Sequence, residues 1–156
     1  MPKTAPSSEP EVSPLDQASS CADTLLRAAA ECARQHERLG RCLERGGSDD
    51  ELRHIAALTE LTDAHLASMT AQYETAATAA PAGKETPWWH AANSLWHASR
   101  EYSRRLAGTD RVTRLLGKHS KEKLTQLTME YELERSALIA LKQAVASYRA
   151  LRPDAE

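Results

Sequence analysis

The placement of seven prolines constrains this chain more than any other feature. They stand at positions 2, 6, 10, 14, 81, 87 and 153. A proline inside a helix removes a hydrogen bond and clashes with the preceding turn, at a cost of roughly 3 kcal/mol. The two long proline-free stretches therefore read as helix, interrupted near residues 81–87. Composition agrees: there is no Phe, Val and Ile are scarce, and Ala, Leu, Glu and Arg are abundant. That mixture favours helices and is poor in what strands prefer.

Hydrophobic spacing divides the stretches into four helices. The first, about residues 16–45, carries a coiled-coil-like seam of Ala18, Ala22, Leu25, Ala29, Cys32, His36, Leu39 and Leu43. Its strict alternation of fours and threes is a heptad pattern with one polar member, His36. Gly46 and Gly47 suit its C-terminal cap. The second helix, about 49–80, opens on Ser48-Asp49-Asp50-Glu51, a capping-box pattern with acids in the first turn. Its seam is Ile55, Thr59, Thr62, Leu66, Met69, Tyr73 and Ala76.

The third helix, about 87–117, starts at Thr86-Pro87, an N-cap followed by proline at the first helical position. Trp88, Ala92, Leu95, Ser99, Tyr102 and Leu106 form its seam, and the helix is expected to continue through Gly108. The fourth, about 120–152, reads Leu124, Leu127, Tyr131, Glu134, Leu138, Leu141, Val145 and Tyr148, then stops at Pro153. Helices of about 30 residues span roughly 45 Å. Short connections make neighbours antiparallel, so the expected fold is an all-α, up-down-up-down four-helix bundle over residues 16–153. A chain of 156 residues is enough for one such domain.

Residues 1–15, rich in Pro, Ser, Thr and Glu, read as a disordered tail without the apolar run of a secretory signal. No apolar run approaches the ~18 residues of a membrane span, and the net charge of −2 gives no general attraction to anionic surfaces. Cys21, Cys32 and Cys42 fall on one helix, with neighbouring pairs about 15 Å apart and so beyond disulfide reach. A reducing, cytoplasmic setting is the expectation.

Two features stand out against this scaffold. The first is a set of polar groups where apolar ones would serve. Levelling the antiparallel helices about their turns places His65, Tyr102 and Glu134 at one height. A buried carboxylate alone is costly, so Glu134 should find a donor. The layer is either a site for a small ligand or metal, or a structural layer that fixes register. His36 falls about two turns away and is expected to be a satisfied core histidine. A di-iron carboxylate centre needs two Glu-x-x-His helices. Only Glu51-Leu52-Arg53-His54 fits, at the bundle's end, so no di-iron centre is expected.

The second feature is aromatic. All three tryptophans lie between residues 88 and 96. Trp88 is on the seam, while Trp89 and Trp96, seven apart, point about 80–100° from it. With Arg100 one turn beyond Trp96, that flank offers a cation–π contact and the residue types that dominate binding hot spots. His90 and His97 point away from the core. The arginines at 100, 104, 105, 111 and 114 point in several directions and fit no nucleic-acid motif.

No catalytic triad motif, phosphate loop or cofactor fingerprint is present, and neither catalytic residues nor a cofactor are expected. The sequence points to a non-enzymatic interaction or scaffold module. Its partner would be a protein, or a second copy of itself, meeting Trp89, Trp96 and Arg100. A ligand or metal at His65, Tyr102 and Glu134 is the alternative.

Overall fold

The computed structural model describes residues 12–115 and 121–152, with side chains described for 12–109 and 124–152. Four helices follow one another: α1 (Pro14–Glu44), α2 (Asp49–Thr78), α3 (Trp89–Leu115) and α4 (Lys121–Leu151). A single 3-10 turn, Pro81–Glu85, joins α2 to α3, and no strand occurs among the described residues. The chain is an all-α four-helix bundle.

Local chemistry sets the helix ends. Ser13 caps α1 by accepting from the Asp16 amide at 3.1 Å, and Pro14 takes the first helical position, where its missing N–H costs nothing. The helix thus starts two residues earlier than its apolar pattern indicates. Residues 1–11 of the expected tail lie outside the described residues. Ser48 caps α2 through the Glu51 amide at 3.2 Å, as the capping pattern requires. Gly46 sits at φ +69°, the left-handed conformation that closes α1 and turns the chain into α2.

At the α2–α3 junction Thr86 does not cap α3. It closes the 3-10 turn, where its hydroxyl bonds the Gly83 carbonyl, and the helix begins at Trp89. Downstream, α3 runs unbroken through Gly108. The expected helix end at Gly117 and the start at Ser120 lie outside the described residues.

α1 pairs along its length with α2, and α3 with α4; the two hairpins meet through α1–α4 and α2–α3 contacts. α1 also reaches α3 diagonally. It can face three helices because its buried arc is wide and small: Ala22, Ala28, Ala29, Ala30 and Ala33 surround Leu25, Leu26 and Cys32. Tyr73, Tyr102 and Tyr148, from three different helices, are the largest side chains in the same core. Threonines on the α2 seam are tolerated because each hydroxyl bonds a carbonyl about one turn back, Thr59 to Ile55 and Thr62 to Thr59.

At one end a polar clamp ties α4 to α1. Tyr148 Oη donates to Asp23 Oδ1 at 2.6 Å, and Arg152 reaches Asp23 Oδ2 at 3.0 Å and Ser19 at 2.9 Å. Burial first, then the Asp23 bond and charge, push the Tyr148 phenol up from its ordinary value.

The seams are not buried evenly. Leu43 is 60% exposed at the end of α1, and on α4 Leu124 and Tyr131 are exposed while Ala137 is buried. Only the second half of the α4 seam, from Leu138 onward, packs into the core.

Candidate functional site

Two groups of side chains have chemistry beyond packing. The first forms a groove of about 220 Å³ where the end of α2, the 3-10 turn and the start of α3 converge. Trp89 and Trp96, both half-buried, wall it; Tyr73 and Ala77 come from α2, and Glu74 and Lys84 supply one charge of each sign.

The local sequence explains the groove. Residues 81–85 wind into a 3-10 turn whose Gly83 is buried, and a Cβ there would stand 3.2 Å from Trp89 Cδ1. Glycine lets the indole lie on the turn. The seven-residue spacing then stacks Trp96 two turns further along the same flank. The Arg100 guanidinium lies 5.4 Å from the Trp96 ring centre, the cation–π contact expected from the sequence. His90 and His97 are exposed, and each leans its ring on the tryptophan before it.

Two side chains of the groove carry unpaired polar groups. Tyr73 Oη and Trp96 Nε1 are buried with no hydrogen-bond partner among the described residues. Such a group costs about 1–3 kcal/mol when left unmade. Burial pushes the Tyr73 phenol up to about 12.

The second group is polar and lies inside the bundle. Cys32 and His36, one turn apart on α1, face Asp63 on α2. Cys32 Sγ donates to Asp63 Oδ1 at 3.2 Å, and His36 Nε2 is 2.8 Å from the same oxygen. The three potential ligand atoms all lie within 4.8 Å of one another. Cys32 is fully buried, while the side chains of His36 and Asp63 are 13% and 24% exposed. Burial, then the Asp63 carboxylate, push the Cys32 thiol well up from its ordinary value.

Tyr102 from α3 closes this cluster. Its ring meets His36 edge-on at 5.3 Å, and its hydroxyl is buried without a partner among the described residues. Burial pushes the Tyr102 phenol up, and the charges of Cys32, Asp63 and Glu134 add to that effect.

The layer expected from the sequence is therefore only partly assembled. Tyr102 is fully buried and Glu134 half-buried within its electrostatic reach, but His65 is exposed. His36 takes the histidine's place, two turns from the height that levelling about the turns gave it. Asp63 was missed because it stands one residue off the α2 seam. The Cys32-x-x-x-His36 spacing on one helix face was the available signal.

No family model matches the chain, and no curated protein or solved structure matches it either.

Proposed function

We propose that this chain is a non-enzymatic helical interaction module that takes a protein partner in the groove walled by Trp89 and Trp96, with Arg100 at its edge. The size of the groove carries the reading. At about 220 Å³ it is smaller than the roughly 300–1,000 Å³ of sites that enclose cofactors and drug-sized ligands. It accommodates one large side chain of a partner. Tryptophan and arginine are the residues that most often dominate such contacts. Glu74 and Lys84 would fix the orientation of a charged neighbour of the anchor.

A second copy of the chain is one form the partner can take. Met129, Leu133 and Ile139 on α4 stand exposed and would supply apolar anchors for it. The three free cysteines suit a cytoplasmic setting, and no described helix is long and apolar enough to cross a membrane.

The test uses random-peptide display on the wild-type protein, with sedimentation velocity of the chain alone. Selected peptides should share one large apolar anchor. They should bind Trp89→Ala and Trp96→Ala at least ~30-fold more weakly, the size of a hot-spot loss, while helical circular dichroism is unchanged. A dimer that dissociates in both variants would identify the second copy as the partner. Peptides that bind wild type and both variants equally, with assembly unchanged, would refute the groove as the docking site.

A further inference from the structure

We infer that Cys32, His36 and Asp63 form a binding site for a divalent transition-metal ion, with Zn²⁺ the best-matched occupant. The argument rests on donor type, spacing and charge. A thiolate sulfur, an imidazole nitrogen and a carboxylate oxygen are the three ligand types that zinc takes from proteins. The two helix-borne ligands are one turn apart on α1, and Asp63 closes the set from α2. Zinc bonds of about 2.0–2.3 Å in a tetrahedral arrangement put ligand atoms roughly 3.3–3.8 Å apart. The observed separations are 3.2 Å for Cys32 to Asp63 and 2.8 Å for His36 to Asp63, and no pair exceeds 4.8 Å. Shifts of about 1 Å would accommodate the ion, and the partly exposed side chains of His36 and Asp63 can supply them.

Charge selects a dication. No lysine or arginine pairs with Asp63 among the described residues; its partners are the Cys32 thiol and the His36 ring. An ion entering the cluster replaces the two hydrogens that now point at one carboxylate oxygen. The thiol releases its proton to solvent as sulfur binds, and the imidazole coordinates through Nε2 with its hydrogen on Nδ1. Thiolate and carboxylate then neutralise the ion, so the buried site carries no net charge. The mixed sulfur and nitrogen set disfavours Mg²⁺ and Ca²⁺, which take oxygen ligands. His36 and Asp63 reach the surface and give the ion a way in.

This site is separate from the tryptophan groove and does not depend on its role. The test starts from chelator-stripped protein titrated with Co²⁺ and then competed with Zn²⁺. One equivalent of Co²⁺ should give a near-ultraviolet thiolate-to-metal charge-transfer band and strong visible bands, all bleached by Zn²⁺. Cys32→Ser should abolish the charge-transfer band and weaken Zn²⁺ more than ~100-fold, beyond the 10–100-fold typical of groups that only support a ligand. Cys21→Ser, which removes a thiol outside the cluster, should change neither. His36→Gln and Asp63→Asn, at partly exposed positions, decide the matter if Cys32→Ser lowers helix content; both should weaken Zn²⁺ while circular dichroism is unchanged. Absence of the charge-transfer band in wild type, its survival in folded Cys32→Ser, or unchanged Zn²⁺ affinity in both other variants would overturn the assignment.

Discussion

Tyr102→Ala should lower the unfolding free energy by about 3–5 kcal/mol, whereas Tyr102→Phe should leave it unchanged or raise it by about 1 kcal/mol. The two substitutions separate the ring from its hydroxyl. The ring is fully buried, belongs to the main core and braces His36 edge-on. Its removal leaves a cavity that neighbours fixed on long helices can fill only in part. The hydroxyl is a different matter, because it is buried and has no partner among the described residues. Phenylalanine abolishes that unmet demand and keeps the shape.

Tyr148→Phe provides the contrast, since the Tyr148 hydroxyl donates to the Asp23 carboxylate. Its loss should cost about 1.5–3 kcal/mol, the range for hydrogen bonds to charged groups. Urea unfolding in the presence of a chelator measures all three. A loss above about 1 kcal/mol for Tyr102→Phe would mean that the hydroxyl has a partner and that the polar cluster is better satisfied than its geometry shows. These are large effects for a domain whose total stability should be about 5–15 kcal/mol.

Much of the fold is legible in the sequence because two physical rules act along the chain without reference to tertiary structure. Prolines confine the helices, and Ser48 caps the second as its capping-box pattern indicates. The seam rule locates Ala22, Leu25, Ala29, Leu66, Tyr73, Leu95, Tyr102 and Leu141, all buried. Periodicity names a face, however, and cannot say what stands opposite it. Leu43 lies on the α1 seam yet is 60% exposed, while off-seam Cys42 is 1% exposed. A Cβ on Gly47 would collide with the Cys42 sulfur, so the α1–α2 turn itself covers Cys42.

The same limit separates the two sites. The tryptophan flank depends on residues seven apart on one helix, so spacing alone brings Trp89, Trp96 and Arg100 together. The cluster of Cys32, His36 and Asp63 depends on the axial offset between α1 and α2. Turn-based levelling cannot fix that offset closely enough to choose between His36 and His65, which also lie on opposite sides of the distinction between buried seam and open surface.

Alkaline pH should unfold this bundle through its tyrosines. Tyr73, Tyr102 and Tyr148 are all buried in one core, and burial is the first cause that raises each phenol above its ordinary value of 10.0. In the unfolded chain these phenols ionise near that ordinary value, while in the folded bundle they stay neutral. Above it the unfolded state therefore binds fewer protons than the native state, and stability falls as pH rises. The stabilisation is complete below the unfolded value and is lost from there up to the folded value, which for Tyr73 is about 12. Each buried phenol can remove up to ~1.4 kcal/mol per pH unit. Three acting together, at up to ~4 kcal/mol per unit, would exhaust a stability of about 5–15 kcal/mol within a few units. Helical circular dichroism and phenolate absorbance, followed together through an alkaline titration, should change in one transition displaced above the ordinary phenol range. The double variant Tyr73→Phe with Tyr148→Phe should make that loss of stability less steep, even though its bundle starts less stable at neutral pH. Phenolate appearing in the ordinary range for all the tyrosines while the helices stay intact would show that these rings are not held in the core.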